Sequence, residues 1–289
     1  MPDDRMSLSL LAPLAAEFPT VRVVTYNIHT CVGVDRRCDP ARIAAVLCEI
    51  DPDIACLQEV DARRRLVPFA DQWAYLGAAT GLTVVAGDPH EQRGRFGNAI
   101  LTRFPVLSAR TIDLSVGDYE PRGAIDADLL VGERVLRVLA THFGLRLAER
   151  RRQVGRLLAA LGETPASDRP APHAVLLMGD LNEWRGRRGC LRTLDRWLGP
   201  GVAPRTFPSW MPVLPLDRIY AMGPAVLRDV LVYRSPLARL ASDHLPLVAD
   251  LCWTARGRER SRPAPRGNRF ASLGSPRDDA SRGAGAPPL

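Results

Sequence analysis

Three of the four asparagines in this chain stand in short segments beside apolar runs. Asn27 lies in Val-Val-Thr-Tyr-Asn-Ile-His (23–29), Asn98 in Gly-Asn-Ala-Ile-Leu-Thr-Arg-Phe-Pro (97–105) and Asn182 in Met-Gly-Asp-Leu-Asn-Glu (178–183). Acids and histidines accompany them: Glu59 in Leu-Gln-Glu-Val, His142 in Thr-His-Phe, Asp217 in Leu-Asp-Arg-Ile, and Asp243-His244 in Ser-Asp-His-Leu-Pro. Glu59, Asp180 and Asp243, with the amides of Asn27 and Asn182, are the oxygen-rich ligand type that a hard cation such as Mg²⁺ prefers. His142 and His244 add hydrogen-bond donors whose charge can change near neutral pH. Such a set suits attack of water on a phosphoester. That chemistry needs an activated water, charge stabilisation on the phosphoryl oxygens and help for the leaving group.

Taken singly, each residue has an ordinary reading. A carboxylate ending a strand caps a helix or forms a turn. Asp180-x-Asn182 fits an Asx-turn, and Asp217 beside Arg218 fits a surface ion pair. His29 can face a cleft or fill a loop. What sets these residues apart is where they fall, at or just after β-like runs, since strand ends hold side chains rigidly.

The pattern predicts the elements that must position them. A strand is expected at 21–29, a loop at 30–39, then a helix at 40–50 opened by Pro40 with Asp39 as N-cap. A strand at 53–59 ends on Gln58-Glu59, and a helical stretch covers 68–80. Strands follow at 82–86, 97–103, 106–114, 122–131 and 134–142, with Gly132-Glu133 as a hairpin turn. Helix 146–162 carries Leu147, Val154, Leu158 and Leu161 on one stripe. Its other face is basic, with Arg146, Arg150, Arg151 and Arg156, and reads as a solvated outer surface. A strand at 173–179 runs into Gly179-Asp180, a short helix covers 189–198, and strands near 217–221, 226–233 and 246–252 close the domain.

Length and apolar content suit one large α/β domain, and no run is long enough to span a bilayer. The start, with Asp3, Asp4 and a broken apolar stretch, reads as an N-terminal extension over 1–19 and not as a secretory signal. The domain itself is placed at 20–253. From 254 to 289 Arg, Pro, Gly, Ser and Ala dominate, so this tail is expected to be disordered, with weak attraction for anionic surfaces. It holds eight Arg against three acids, which is +5 of the formal +7, so the body is close to neutral. That balance argues against an extended polyanion-binding surface. All basic residues are Arg. Several flank the polar motifs, among them Arg36, Arg37, Arg63, Arg65, Arg93, Arg95, Arg122 (in Glu-Pro-Arg-Gly), Arg185, Arg187 and Arg188, and would draw an anionic substrate. Six cysteines without a Cys-x-x-Cys pair suggest free thiols in a reducing cytoplasm. Cys48, Cys56 and Cys252 read as small buried hydrophobes.

The motifs, in this order over about 20–253, resemble those of the endonuclease/exonuclease/phosphatase superfamily, which includes DNase I-like nucleases, sphingomyelinases and inositol-polyphosphate phosphatases. The resemblance implies a four-layer α/β sandwich: two mixed β-sheets packed face to face with helices outside, and the site where the sheet edges meet. It implies Mg²⁺ or Mn²⁺ held chiefly by Glu59, with Asn27 and Asp243 assisting. It implies that Asp180 activates water, that Asn182 fixes it or binds a phosphoryl oxygen, and that Asp217 orients His244. His142 would bind the phosphate from the other side, supported by Asn98, with Arg122 contacting substrate. The expected activity is that of a cytoplasmic, monomeric phosphodiesterase working without a covalent intermediate. Its substrate would be a phospholipid headgroup, an inositol phosphate or nucleic acid. A DNA or RNA nuclease is the alternative within the family. A catalytically inactive binding module is the alternative of another class, although every main motif keeps its acid, amide or histidine. The apolar stretch Phe207-Pro-Ser-Trp210-Met211 would serve a lipid substrate if exposed beside the site, and would otherwise be core.

Overall fold

The computed structural model describes residues 19–62, 71–87, 96–162, 171–185 and 189–254. Residues 1–18 of the N-terminal extension, the tail beyond Thr254, His90 and the arginines at 63–65, 93, 95, 187 and 188 lie outside the described residues.

The central strands are apolar on both faces, so they must be covered on both sides, whereas the edge strands are largely exposed. β1 (Val21–Asn27), β2 (Ile54–Asp61), β3 (Thr83–Gly87), β4 (Phe96–Thr102), β10 (Ala225–Val232) and β11 (Leu247–Trp253) form one sheet in the order β10-β11-β1-β2-β4-β3. β5 (Val106–Asp113), β6 (Gly123–Val131), β7 (Arg134–His142), β8 (Ala174–Asp180) and β9 (Asp217–Met222) form the second, in chain order. Both sheets are mixed: β1 runs parallel to β2 and β7 parallel to β8, while the other pairs are antiparallel.

Alternation along each strand sorts side chains into three cores. Val21, Val23, Ile54 and Cys56 of one sheet meet Leu136, Val138, Leu176 and Met178 of the other. The opposite faces, with Val24, Tyr26 and Leu57, pack under α1 (Pro40–Ile50), α2 (Gln72–Thr80) and α5 (Pro236–Ala241). Leu139, Val175 and Leu177 pack under α3 (Leu147–Gly162) and α4 (Arg192–Leu198). The result is helix, sheet, sheet, helix, the expected four-layer sandwich.

Most elements fall where the sequence pattern puts them. Asp39 caps α1 by accepting from the Ala41 amide at 3.0 Å. Four expectations change. The first strand stops at Asn27 because His29, Thr30 and Cys31 adopt left-handed backbone, with φ of 47°, 51° and 60°. The short helix α5 escapes the pattern: six residues carry too little periodicity, although Ser235 caps it at the Ala238 amide. Arg150 is not on a solvated face but fully buried, 3.4 Å from Glu183 and bonded to the carbonyls of Gly144 and Leu145. Among the three cysteines read as buried only Cys56 is; Cys48 is exposed and Cys252 half-buried, because each lies on the outward side of its element.

Candidate active site

Strand direction gathers the motifs. β1, β2, β7 and β8 end, and β4, β6, β9 and β11 begin, at one common edge of the two sheets. Asn27, Glu59, His142 and Asp180 therefore sit at or near strand C-termini, and Asn98, Asp217 and His244 at or near N-termini. Cross-strand register sets His142 opposite Asp180, and Asp180 opposite Asp217. Gly179 allows this: a Cβ there would stand 1.9 Å from the Thr141 carbonyl oxygen.

Asn27 joins the sheets. Its Oδ1 accepts from the His29 amide at 3.0 Å, which turns Nδ2 toward two carboxylates. Nδ2 donates to Glu59 Oε1 at 3.0 Å and to Asp180 Oδ2 at 3.2 Å. Glu59 is half-buried on a left-handed backbone (φ 59°) where the β2–β4 register shifts. Such backbone is costly for a non-glycine residue and recurs at functional sites. Asp180 is buried, and its Oδ1 accepts from the Asn182 amide at 2.9 Å. The Asx-turn reading is thus met. Asn182, itself left-handed at φ 49°, places Nδ2 2.9 Å from the Phe143 carbonyl and 3.1 Å from His142 Nε2.

Two histidines approach Asp180 Oδ2, His142 Nε2 at 3.5 Å and His244 Nε2 at 3.6 Å. Their far nitrogens differ. Arg122 donates to His142 Nδ1 at 2.9 Å, so the proton of the neutral ring is assigned to Nε2. Burial and the charges of Arg122 and His244 hold His142 well below the usual histidine range. His244 Nδ1 instead donates to Asp217 Oδ2 at 2.9 Å. Burial opposes the charge on His244, yet Asp217 and Asp180 outweigh it and push the ring up to about 10. Asp180 is pushed up to about 6, first by burial and then by Asp217, against the pull of His244.

Eight of the ten candidate residues thus form one contact network: Asn27, Glu59, Arg122, His142, Asp180, Asn182, Asp217 and His244. Two stand at its flanks. Asn98 donates to the Gly123 carbonyl at 3.0 Å and not to His142, but lines one cleft with Glu59, Arg122 and His142. Asp243 is half-buried, and its Oδ1 lies 3.8 Å from His29 Nδ1. Asp217 is fully buried, so the surface ion-pair reading fails.

Sequence reasoning missed Thr206, which donates to Asp217 Oδ2 at 2.5 Å, and the pairing of Arg122 with His142. A threonine one residue before Phe207 carries no local signal of that role. Arg122 was expected to contact substrate, not to hold His142.

The chain belongs to the endonuclease/exonuclease/phosphatase family, whose sequence profile matches residues 24–244. Members of that family are hydrolases of phosphoesters. Over 254 residues, 80% of this chain and 95% of the relative, it is 28% identical to the uncharacterised protein YbhP of Escherichia coli K12. The crystal structure of an endonuclease/exonuclease/phosphatase from Beutenbergia cavernae matches 81% of this chain and 72% of its own at a TM-score of 0.61 and 23% identity. Danio rerio TDP2, solved with a single-strand DNA product, matches 80% of this chain and 98% of its own at 0.58 and 18%. At these identities the structural likeness speaks to the fold.

Proposed function

We propose that this chain is a divalent-metal-dependent phosphodiesterase acting by in-line attack of water. The observation that carries the reading is the two histidines meeting one buried carboxylate from two sides, one held neutral and one held charged. The carboxylate can then serve as base, the charged ring as acid and the neutral ring as a hydrogen-bond donor, the division that general acid–base hydrolysis needs.

The donor set fits a hard cation. The potential ligands at the site are carboxylates, amides and imidazoles, no thiolate joins them, and Asp217 Oδ1 is buried without a partner. Asp180, Asp217 and His244 bring ligand atoms within 4.8 Å of one another. Asp217 Oδ2, however, already accepts from Thr206 and His244. Glu59 faces the cleft and is the better principal ligand for Mg²⁺ or Mn²⁺. Asn27 then orients the Glu59 carboxylate through Nδ2, and Asp243 assists from the flank. When bound, the cation neutralises phosphoryl charge and makes a water easier to deprotonate.

Asp180 takes the proton of the attacking water as the new P–O bond forms. His244, as imidazolium, stabilises the developing charge and returns a proton to the leaving oxygen as the old P–O bond breaks. Asp217 fixes its orientation. His142 donates from Nε2 to a phosphoryl oxygen, with Arg122 holding its other nitrogen. Asn98 and Arg122 line the substrate cleft. We take the setting to be a reducing cytoplasm and the working unit to be a monomer.

The test is release of p-nitrophenol from bis(p-nitrophenyl) phosphate and from the monoester, with Mg²⁺ and with EDTA. Metal-dependent turnover favouring the diester is expected. No turnover of either ester under any metal would point to an inactive binding module, and cleavage of plasmid or oligonucleotide in preference to the small diester would point to a nuclease.

A further inference from the structure

Eleven large apolar side chains are exposed among the described residues, and seven of them lie in loops at the edge that carries the site. That bias calls for a physical cause, because scattered exposed apolar residues would show none. The most prominent group is the segment Thr206–Leu216, eleven residues without a charge. Trp210 and Met211 are 65% and 51% exposed at its tip, with Val213 beside them.

The tip is rigid and fastened to the site. Phe207 and Leu214 pair across its base, and the amides of Val213 and Leu214 both donate to the Phe207 carbonyl at 2.8 Å. The Ser209 amide donates to the Asp243 carbonyl at 2.7 Å, and Phe207 lies against the His244 ring at 4.8 Å between centroids. Arg239 of α5 donates to the carbonyls of Ser209 and Trp210. On the far side of α5 the Val34 amide donates to the Leu240 carbonyl, and Arg36 and Arg37, two and three residues further on, are exposed. Across the site, Leu145 and Trp184 are exposed by 68% and 48% on the loops after β7 and β8.

We propose that this edge docks on an anionic phospholipid bilayer, with Trp210 and Met211 entering the headgroup layer and Arg36 and Arg37 facing its negative charge. Tryptophan favours that layer, and a few apolar side chains with a basic rim suffice for reversible attachment to a fluid surface. A protein partner would need roughly 600 Å² or more of complementary face per side, which a narrow tip does not offer. A nucleic-acid strand would call for stacking aromatics along a basic groove, whereas the neighbours of Trp210 on the tip are Met211 and Val213. The proposal rests on the phosphodiesterase reading only for its substrate class, a phosphodiester headgroup presented at the bilayer surface. The docking itself does not depend on turnover.

The experiment is flotation of the full chain, in EDTA, with vesicles of phosphatidylcholine alone or with one quarter phosphatidylglycerol. Wild type is expected to float with the anionic vesicles. Trp210→Ser/Met211→Ser should lose roughly tenfold in partition, as binding scales with apolar area inserted. Arg36→Gln/Arg37→Gln should lose the preference for phosphatidylglycerol. Quenching of tryptophan fluorescence by brominated lipid should fall in Trp210→Phe, which keeps an apolar tip. Trp210→Ser/Met211→Ser and Trp210→Phe should hydrolyse bis(p-nitrophenyl) phosphate within about twofold of wild type, since neither alters the network at the site. Failure of wild type to float, equal flotation of Trp210→Ser/Met211→Ser, or capture by a single-stranded oligonucleotide in place of vesicles would overturn the docking. Vesicle binding by a chain inert toward the soluble diester would refute the hydrolase reading and leave the docking standing.

Discussion

Two histidines of one chemical type reach the same carboxylate oxygen, yet they carry opposite charge tendencies because their far nitrogens meet opposite partners. Burial disfavours charge on both rings; Arg122 adds to that at His142, whereas Asp217 and Asp180 overcome it at His244. The sign of the pH dependence follows. Asp180 must be ionised and is pushed up to about 6, while His244 must be protonated and is pushed up to about 10. The pH profile of kcat/KM should therefore rise through about 6 and fall toward about 10. Asp217→Asn removes the charge that retains the His244 proton, so the falling limb should move to lower pH; an unmoved limb would refute the pairing. His244→Ala should reduce kcat/KM by ~10³, within the usual range for a positioned acid, and Asp217→Asn by less. The double variant should be little worse than His244→Ala, because residues acting as a unit are not additive. If the two losses multiply, the residues act separately.

At the scale of elements, the site depends on how closely β7 and β8 approach and on how α3 is tied to the loop after β8. Gly179→Ala places a methyl group on the Thr141 carbonyl and must part the two strands just where His142 faces Asp180. A loss of at least about 2 kcal/mol in denaturant unfolding is expected, with activity falling further than stability alone explains. Arg150 and Glu183 form a buried ion pair linking α3 to the segment that follows Asn182. Arg150→Ala leaves Glu183 buried without its counter-charge and should cost about 3 kcal/mol. Pairing that change with Glu183→Gln should recover part of the loss; full additivity in unfolding curves would show that the two do not interact.

At the scale of the whole molecule, two sheets packed face to face bring loops from both halves of the chain to one edge, and a bound cation would tie them further. Millimolar Mg²⁺ should raise the melting temperature of wild type by a few degrees, as any ligand of the folded state does, and should leave Glu59→Gln nearly unmoved. An equal rise in both would relocate the metal. We propose 20–253 as the folding unit. A chain ending at Thr254 should therefore melt within about 2 °C of the full one and keep its turnover of a small diester. A large loss would show that the last residues belong to the domain.

Much of this was legible in sequence because it is local. Apolar runs and turn residues marked the strands, and the polar residues ending those runs supplied the candidate site, since a side chain's position along a strand is set by its own segment. Composition also separated the basic tail from a near-neutral body. Contacts between distant segments were not legible. Asn27 and Asp180 are 153 positions apart, and which strand ends meet is decided by parallel and antiparallel pairing across two sheets. The inward turn of Arg150 and the hold of Thr206 on Asp217 likewise depend on partners that no local pattern names. Sequence alone determined the kinds of donor atom available and the strand ends that carry them. Only the tertiary structure decided which of two identical imidazoles is an acid, because proton affinity is set by burial and by the charges that folding places beside each ring.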